Sequence, residues 1–305
     1  MSIQAKILSI LLSAVFHSRF IKNENMSEDA GRRTKNTVSV YKPPKGYRLV
    51  RERCGECAVE GLIPSDVRTD TVIFHIHGGS FKIKLLDFYR RTALRYSRSA
   101  GGAPVWSVDY RTMPEHVFPA QLEDTLSAWE HLLSKGIAPE NIVVIGDSSG
   151  ANLTLAMALR LRDSGRPLPK MLVCFSLWGD MTARGESYER NCHTDPFYGI
   201  PKRERFEDHE AYFRRRPKYA GDHELTDPYL SPSFADFSGL PPVAFFCGTA
   251  EVGESDSDTA FENAQKSGVD AELHKFKGMF HDFQLVPTLP ESRKAFRILK
   301  QILEK

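Results

Sequence analysis

The sequence predicts an α/β fold, a doubly wound and mostly parallel sheet with helices on both faces. Three observations carry this. From residue 47 onward, β-like segments alternate with amphipathic helical patterns. The β-like runs from residue 71 are mostly continuous apolar stretches, as strands buried on both faces require. The chain has 305 residues, 41% of them hydrophobic and 26% charged, which suits one soluble α/β domain with an insertion.

The N-terminal "ILSILLSAVF" (7–16) is apolar but far short of the ~20 residues that cross a bilayer. Ile3, Ile7, Ile10, Leu11 and Val15 recur at helical spacing, which predicts an amphipathic helix packed through that stripe. A secretion signal or interfacial anchor is the other reading, although only Lys6 precedes the run and no small-x-small cleavage site follows it. "YRLVRER" (47–53) and "AVEGLIP" (58–64) read as two strands. Between them Cys54 and Cys57 flank Gly55, a spacing read as a turn rather than a redox or zinc motif.

"TVIFHIH" (71–77), "PVWSVDY" (104–110), "NIVVIGD" (141–147), "MLVCFSL" (171–177), "PPVAFFCG" (241–248) and "DAELHKF" (270–276) complete eight strand candidates. "PAQLEDTLSAWEHLLSKG" starts with Pro119, stops at Gly136 and aligns Leu122, Leu126, Trp129 and Leu133 on one stripe. "ANLTLAMALRLRDSG" ends at Gly165, "SDTAFENAQKSG" precedes the last strand, and "ESRKAFRILKQILEK" closes the chain as helices.

The net charge of +2 gives no electrostatic argument for nucleic acid or an anionic membrane. Five scattered cysteines do not make a disulfide framework, so a reduced, cytoplasmic protein is expected, with no metal site. Residues 178–240 break the rhythm: they are rich in Tyr, Phe and charge, and predict a cap or lid. Within them Arg214, Arg215 and Arg216 could grip an anionic substrate, but such a run reads more simply as a solvated helix face.

Gly146-Asp147-Ser148-Ser149-Gly150 is a G-x-S-x-G placed where a strand ends and a helix begins. That turn lifts the serine hydroxyl above the sheet, and the glycines let neighbouring backbone pass closely. The helix N-terminus behind it offers unpaired amides to a developing negative charge. The loop lacks the lysine of a Walker motif and the spacing of a dinucleotide fingerprint. A serine nucleophile further needs oxyanion donors, a base and an acid. His77-Gly78-Gly79, ending the strand at 71–77, exposes amides with no side chain in the way. Chain order for such a nucleophile is serine, acid, histidine. His193, His209 and His223 fall in the long interval and His274 in a strand, which leaves His281, on the loop after the last strand. The acid should follow the strand at 241–248, where Glu251 stands closest and Asp256 is the alternative. Glu254, Asp256 and Asp258 otherwise suit the next helix's N-terminus.

With "HGG", "DYRTMPEHVFPAQLED", "GDSSGAN", "SLWGDMT", "GLPP" and "HDF" in order, residues 47–300 resemble the hormone-sensitive-lipase-like branch (bacterial family IV) of the α/β-hydrolases. The resemblance implies an eight-stranded α/β-hydrolase core with a helical cap. Its parts would be an N-terminal cap segment 1–46, core 47–181, cap insertion 182–230 and core 231–305. It implies Ser148 as nucleophile, His281 as base, and oxyanion amides on Gly78, Gly79 and Ser149. The family's acid stands three residues after the strand's glycine and thirty before the histidine, and both counts give Glu251, where aspartate is usual. Ser149 replaces a usual alanine, Ala151 a frequent glycine and Ser80 a third glycine, while Tyr110, Arg111, Pro114 and Glu115 look like scaffold. The implied activity is that of a serine carboxylesterase on short- to medium-chain acyl esters. It uses no metal or organic cofactor, takes a small-molecule ester as partner, needs no stable membrane insertion, and suits a homodimer. The alternatives are a catalytically silent small-molecule-binding member, or an amidase or deacetylase.

Overall fold

The computed structural model describes residues 1–22, 39–200 and 212–305, with side chains of the first segment described to residue 16. Eight strands form one sheet: β1 (Tyr47–Cys54), β2 (Cys57–Pro64), β3 (Val72–Ile76), β4 (Val105–Asp109), β5 (Ile142–Asp147), β6 (Met171–Phe175), β7 (Val243–Gly248) and β8 (Ala271–Phe276). Their order is β1-β2-β4-β3-β5-β6-β7-β8. The β1–β2 hairpin pairs antiparallel, as does β2 with β4, and every other pairing is parallel.

Every residue of β3, β5 and β7 is buried, which is why these strands read as unbroken apolar runs. Successive side chains still go to opposite faces. Val144 joins a core with Trp129 and Leu155, while Val143 and Ile145 join another with Tyr96 and Leu299. Helices therefore cover both faces. α1 (Ile3–Lys22), α2 (Asp87–Ser99), α3 (Ala120–Ser134), α4 (Ser149–Asp163), α5 (Glu186–Arg190), α6 (Glu254–Lys266) and α7 (Pro290–Leu303) are the described α-helices. Cys54 and Cys57 are the last cross-strand pair of the hairpin, and Gly55 turns it with φ +58°, as the turn reading expected.

Helix α2 is not among the elements read from the sequence. Its buried side mixes Tyr89, Ala93 and Tyr96 with Arg90, Thr92 and Ser97, so polar side chains interrupt the apolar stripe. Arg90 is held there by Glu60 of β2, with Nε 2.7 Å from Oε2.

Helix α1 forms as expected but docks by the other side. Ala5 is fully buried, and Leu8 and Leu12 pack against the α2–α7 core. Ile3, Ile7, Ile10, Leu11 and Val15 are exposed instead. The helix is apolar nearly all round, so spacing alone could not choose a face. Its start is tied to α7, where Ser2 Oγ donates to Glu291 Oε2 at 2.9 Å. Among the described residues no helix is long and apolar enough to cross a membrane.

The described parts of the long interval contain α5 and short turns, and no strand. Arg214–Arg216 are a second correction: they lie in a turn beyond residue 213 rather than along a helix face. β3, β5, β7 and β8 run parallel, so the loops leaving their C-terminal ends gather at one edge of the sheet, where α/β sheets place their sites.

Candidate active site

Ser148 occupies the junction between β5 and α4 with φ 52° and ψ −119°, a conformation an L-residue adopts only when its surroundings impose it. The imposition is close packing. A Cβ at Gly146 would overlap the Gly150 carbonyl, and one at Gly150 would overlap the Ile76 carbonyl. The Ser148 amide donates to the Phe175 carbonyl at 2.9 Å, fixing the turn to β6. Its Oγ has no hydrogen-bond partner among the described residues.

His281 lies on the loop after β8. Its Nδ1 is 2.9 Å from Glu251 Oε2, while Nε2 is buried without a hydrogen-bond partner. Glu251 is fully buried. Its Oε1 accepts the Gly248 amide, which folds the longer side chain back over the end of β7. A Cβ at Gly248 would strike the Met279 carbonyl, so glycine there lets β7 and the histidine loop meet. The alternative acid, Asp256, is occupied elsewhere. Its Oδ2 accepts the amides of Gly179 and Asp180 and the Tyr188 hydroxyl, at 2.9, 3.0 and 3.0 Å. Glu254 and Asp256 lie in the first turn of α6, as expected of acids at a helix N-terminus, and Glu254 and Asp258 also pair with Lys275.

The other histidines have structural partners. His193 Nδ1 meets the Ile200 carbonyl, His223 packs on Phe118, and His274 pairs with Glu272. His209 lies outside the described residues.

The loop after β3 departs from expectation at one point. The amide of Gly78 is aimed at Asp147 Oδ2, 3.1 Å away, and not at open space. A buried carboxylate attracts the nearest N–H. Gly79, Ser80 and Phe81 follow with φ of 107°, 55° and 60°, a tight left-handed run that only glycine adopts freely. The amide of Phe81 donates to Ser149 Oγ at 3.3 Å, so the serine that replaces the usual alanine secures this loop. No hydrogen bond to a described residue takes the amides of Gly79 or Ser149.

Several groups around the pair escaped sequence reading. Asp282 Oδ2 stands 3.5 Å from His281 Nε2; burial pushes its carboxyl up, and the charge of a protonated His281 pulls it back down. Burial alone would push the His281 imidazole down, but the charge of Asp282 and the hydrogen bond and charge of Glu251 outweigh it and hold it well above 6.5. Asp195 accepts the Val252 amide through Oδ2 and the Phe197 amide through Oδ1, at 3.1 and 3.0 Å. It thereby ties the long interval to the Glu251 loop, as does Asn191, whose Nδ2 donates to the Glu251 carbonyl at 2.8 Å. Tyr198 sets its ring edge-on to His281, centroids 4.6 Å apart, and its hydroxyl is 2.9 Å from Ser80 Oγ. Asp195, Asn191 and Tyr198 have no local motif, because each joins loops far apart in sequence, whereas Asp282 lies in "HDF" and its role depends on how the loop turns it toward Nε2. The scaffold reading of Tyr110 and Arg111 fits: Tyr110 donates to the His77 carbonyl at 2.8 Å, and Arg111 pairs with Asp124 at 2.8 Å.

Ser148 and His281 line one cavity of about 440 Å³. Its walls include Leu177, Trp178, Met181, Phe197 and Phe213. A hollow of about 490 Å³ between the β1–β2 hairpin and Arg111 includes none of the candidate site residues. Among the described residues no cluster of His, Cys, Asp and Glu could hold a metal ion.

Fold and site together define a class: α/β proteins with a serine on a strand-to-helix turn at the C-terminal end of a central parallel strand. A family model described as the alpha/beta hydrolase fold matches residues 73–285. An acetyl-hydrolase of Streptomyces hygroscopicus is 32% identical over 247 residues, covering 80% of this chain and 78% of that protein. An esterase of Acinetobacter venetianus is 32% identical over 235 residues, covering 76% and 74%. Among solved structures, an esterase from the bacterial hormone-sensitive lipase family superposes with a TM-score of 0.81 at 30% identity, covering 97% of this chain and 96% of that one. The esterase EstE5, soaked with p-nitrophenyl butyrate, gives 0.81 at 26% identity over 99% and 98%. The chain belongs to the α/β-hydrolase-fold family, in its hormone-sensitive-lipase-like branch of ester hydrolases.

Proposed function

We propose that the protein is a serine carboxylesterase for short- to medium-chain acyl esters, working through Ser148, His281 and Glu251. The observation that carries this reading is that Ser148 and His281 line one cavity, each with a buried atom free of hydrogen bonds, Oγ and Nε2, and Glu251 holds the other imidazole nitrogen. Ser148 attacks the ester carbonyl as His281 Nε2 takes its proton. Glu251 accepts a hydrogen bond from Nδ1–H, which fixes the tautomer that leaves Nε2 free to act as base. The amides of Gly79 and Ser149 stabilise the oxyanion, each worth ~3 kcal/mol in the transition state. Gly78 is assigned to holding that loop against Asp147. The protonated imidazole returns its proton to the departing alcohol, and water then deacylates the serine along the same path.

The interval 182–230 together with α1 is assigned the role of cap. Phe16 of α1 meets Phe197 edge-on with centroids 4.9 Å apart, and Phe197 lines the cavity. The deciding experiment is Ser148→Ala. Hydrolysis of p-nitrophenyl acetate and labelling by a fluorophosphonate should both vanish while the circular dichroism spectrum stays. Activity near that of the parent protein would overturn the assignment, and absence of labelling in the parent would favour a silent binding protein. Matched ester and amide substrates separate an esterase from an amidase.

A further inference from the structure

The cavity around Ser148 is apolar within but bears cations where it meets solvent. Arg215 and Arg216, both exposed, line it together with Lys82 and Lys218. The two guanidiniums are held in place by uncharged groups. Arg215 Nε donates to the Tyr212 carbonyl at 3.2 Å, and its guanidinium carbon lies 4.4 Å from the centre of the Tyr212 ring. Arg216 Nε donates to the Gly221 carbonyl at 2.7 Å, and a second nitrogen meets the His223 carbonyl. Among the described residues neither arginine pairs with a carboxylate. Among the described residues one carboxylate lines the cavity, Asp180, and it is engaged with the amides of Thr182 and Arg184. Carbonyls orient a guanidinium without neutralising it, so the fold directs two positive charges that no carboxylate of the described residues compensates.

On the footing of the ester-hydrolase reading, we propose that the natural substrate is an ester carrying an anionic group. That group, a carboxylate, phosphate or sulfate, is separated from the scissile bond by an apolar segment and bound by Arg215 and Arg216. The planar donors of arginine match such oxyanions in bidentate fashion. Their field also concentrates anions at the mouth. Remote binding of this kind positions the carbonyl carbon before Ser148. A neutral ester of equal size fills the same apolar walls but brings no anion to Arg215 and Arg216. The alternative, a basic run that merely solubilises the surface, predicts no discrimination between the two.

Two pairs of substrates test the proposal, one for each side of the ester. On the acyl side, mono-p-nitrophenyl glutarate is compared with p-nitrophenyl valerate. On the alcohol side, 4-butyryloxybenzoate is compared with p-tolyl butyrate. In at least one pair, the ratio of kcat/KM for the anionic over the neutral ester should fall about tenfold or more in Arg215→Gln/Arg216→Gln, mainly through KM. Arg215→Lys/Arg216→Lys should keep most of the ratio. For the unaltered protein, raising salt from about 20 mM to about 500 mM should lower the same ratio, a measurement independent of any variant's folding. A ratio unchanged by both the glutamine variant and salt, in both pairs, overturns the proposal while leaving ester hydrolysis intact. Failure of the parent protein to hydrolyse any of the four esters overturns the hydrolase reading, and this proposal with it.

Discussion

Asp147 Oδ2 accepts the backbone amide of Gly78 at 3.1 Å, joining the residue before the serine to the loop that faces it. β3 and β5 are neighbours in the sheet, so the last residue of one strand meets the loop leaving the other. The carboxylate is fully buried, and burial pushes it up to about 7. An oxyanion site works only if its donors are fixed before charge develops. Asp147→Ala should therefore lower kcat on p-nitrophenyl acetate by roughly tenfold to a hundredfold with little change in KM, because loop placement matters most in the transition state. Asp147→Asn keeps an acceptor oxygen and should recover most of the loss. A kcat for the alanine variant equal to that of the parent would mean the loop is held by other contacts.

The surroundings of His281 set a pH profile. The imidazole must be neutral to accept the serine proton, so kcat/KM rises with pH through the folded-state pKa of His281. Because nearby carboxylates hold that pKa above 6.5, the ascending limb should lie above 6.5. Asp282→Asn removes one of those charges, so the limb should move to lower pH. The substitution is sterically mild: residue 282 sits at φ 57°, which asparagine tolerates, and its contact with Ser176 Oγ is made by the backbone. A limb at or below 6.5, or one that Asp282→Asn leaves in place, would refute the assigned electrostatics.

Glu251 and Asp256 should separate cleanly. Glu251 uses both oxygens as acceptors, Oε1 for Gly248 and Oε2 for His281. Glutamine offers one acceptor and one NH₂ group, so it must either repel the Gly248 amide or present a donor to Nδ1. Glu251→Gln should cut kcat by about a thousandfold or more. Asp256 instead gathers three donors from Gly179, Asp180 and Tyr188. Asp256→Ala should cost ~1–3 kcal/mol in urea unfolding through those orphaned donors, with kcat held within about tenfold. The reverse pattern would move the acid to Asp256.

What the sequence made legible follows from how local each signal is. The central strands could be read because a parallel sheet buried on both faces needs unbroken apolar runs, as in Val72–Ile76. Ser148 could be read because its strand, turn and helix are contiguous, and Glu251 because its distance from Gly248 is short. Helix α2 could not, since Arg90 is buried through an ion pair with a strand thirty residues earlier. Gly78 could not be told from Gly79, because a backbone amide carries no side-chain label and its direction depends on Asp147. Asp195 and Tyr198 were silent for the same reason: their partners are fixed by tertiary contact. Arg215 and Arg216 were visible as charge, but only the path of the chain places them on the cavity.

The docking face of α1 gives the last test, since periodicity chose Ile3, Ile7 and Ile10 and the packing chose Ala5, Leu8 and Leu12. Ile10 is 61% exposed, so Ile10→Lys should change the urea midpoint by no more than the equivalent of about 0.5 kcal/mol. Ala5 is completely enclosed, and Ala5→Leu must push the helix off its seat at ~1–3 kcal/mol. Displacement should also reach the site, because Phe16 at the far end of the described stretch abuts Phe197 on the cavity wall. Ala5→Leu should accordingly raise KM for a p-nitrophenyl ester while leaving kcat nearly as it was, since no group that touches the reacting atoms moves. If Ile10→Lys proves the costly substitution and Ala5→Leu the silent one, the helix is seated by the opposite face, and its assigned part in the cap goes with it.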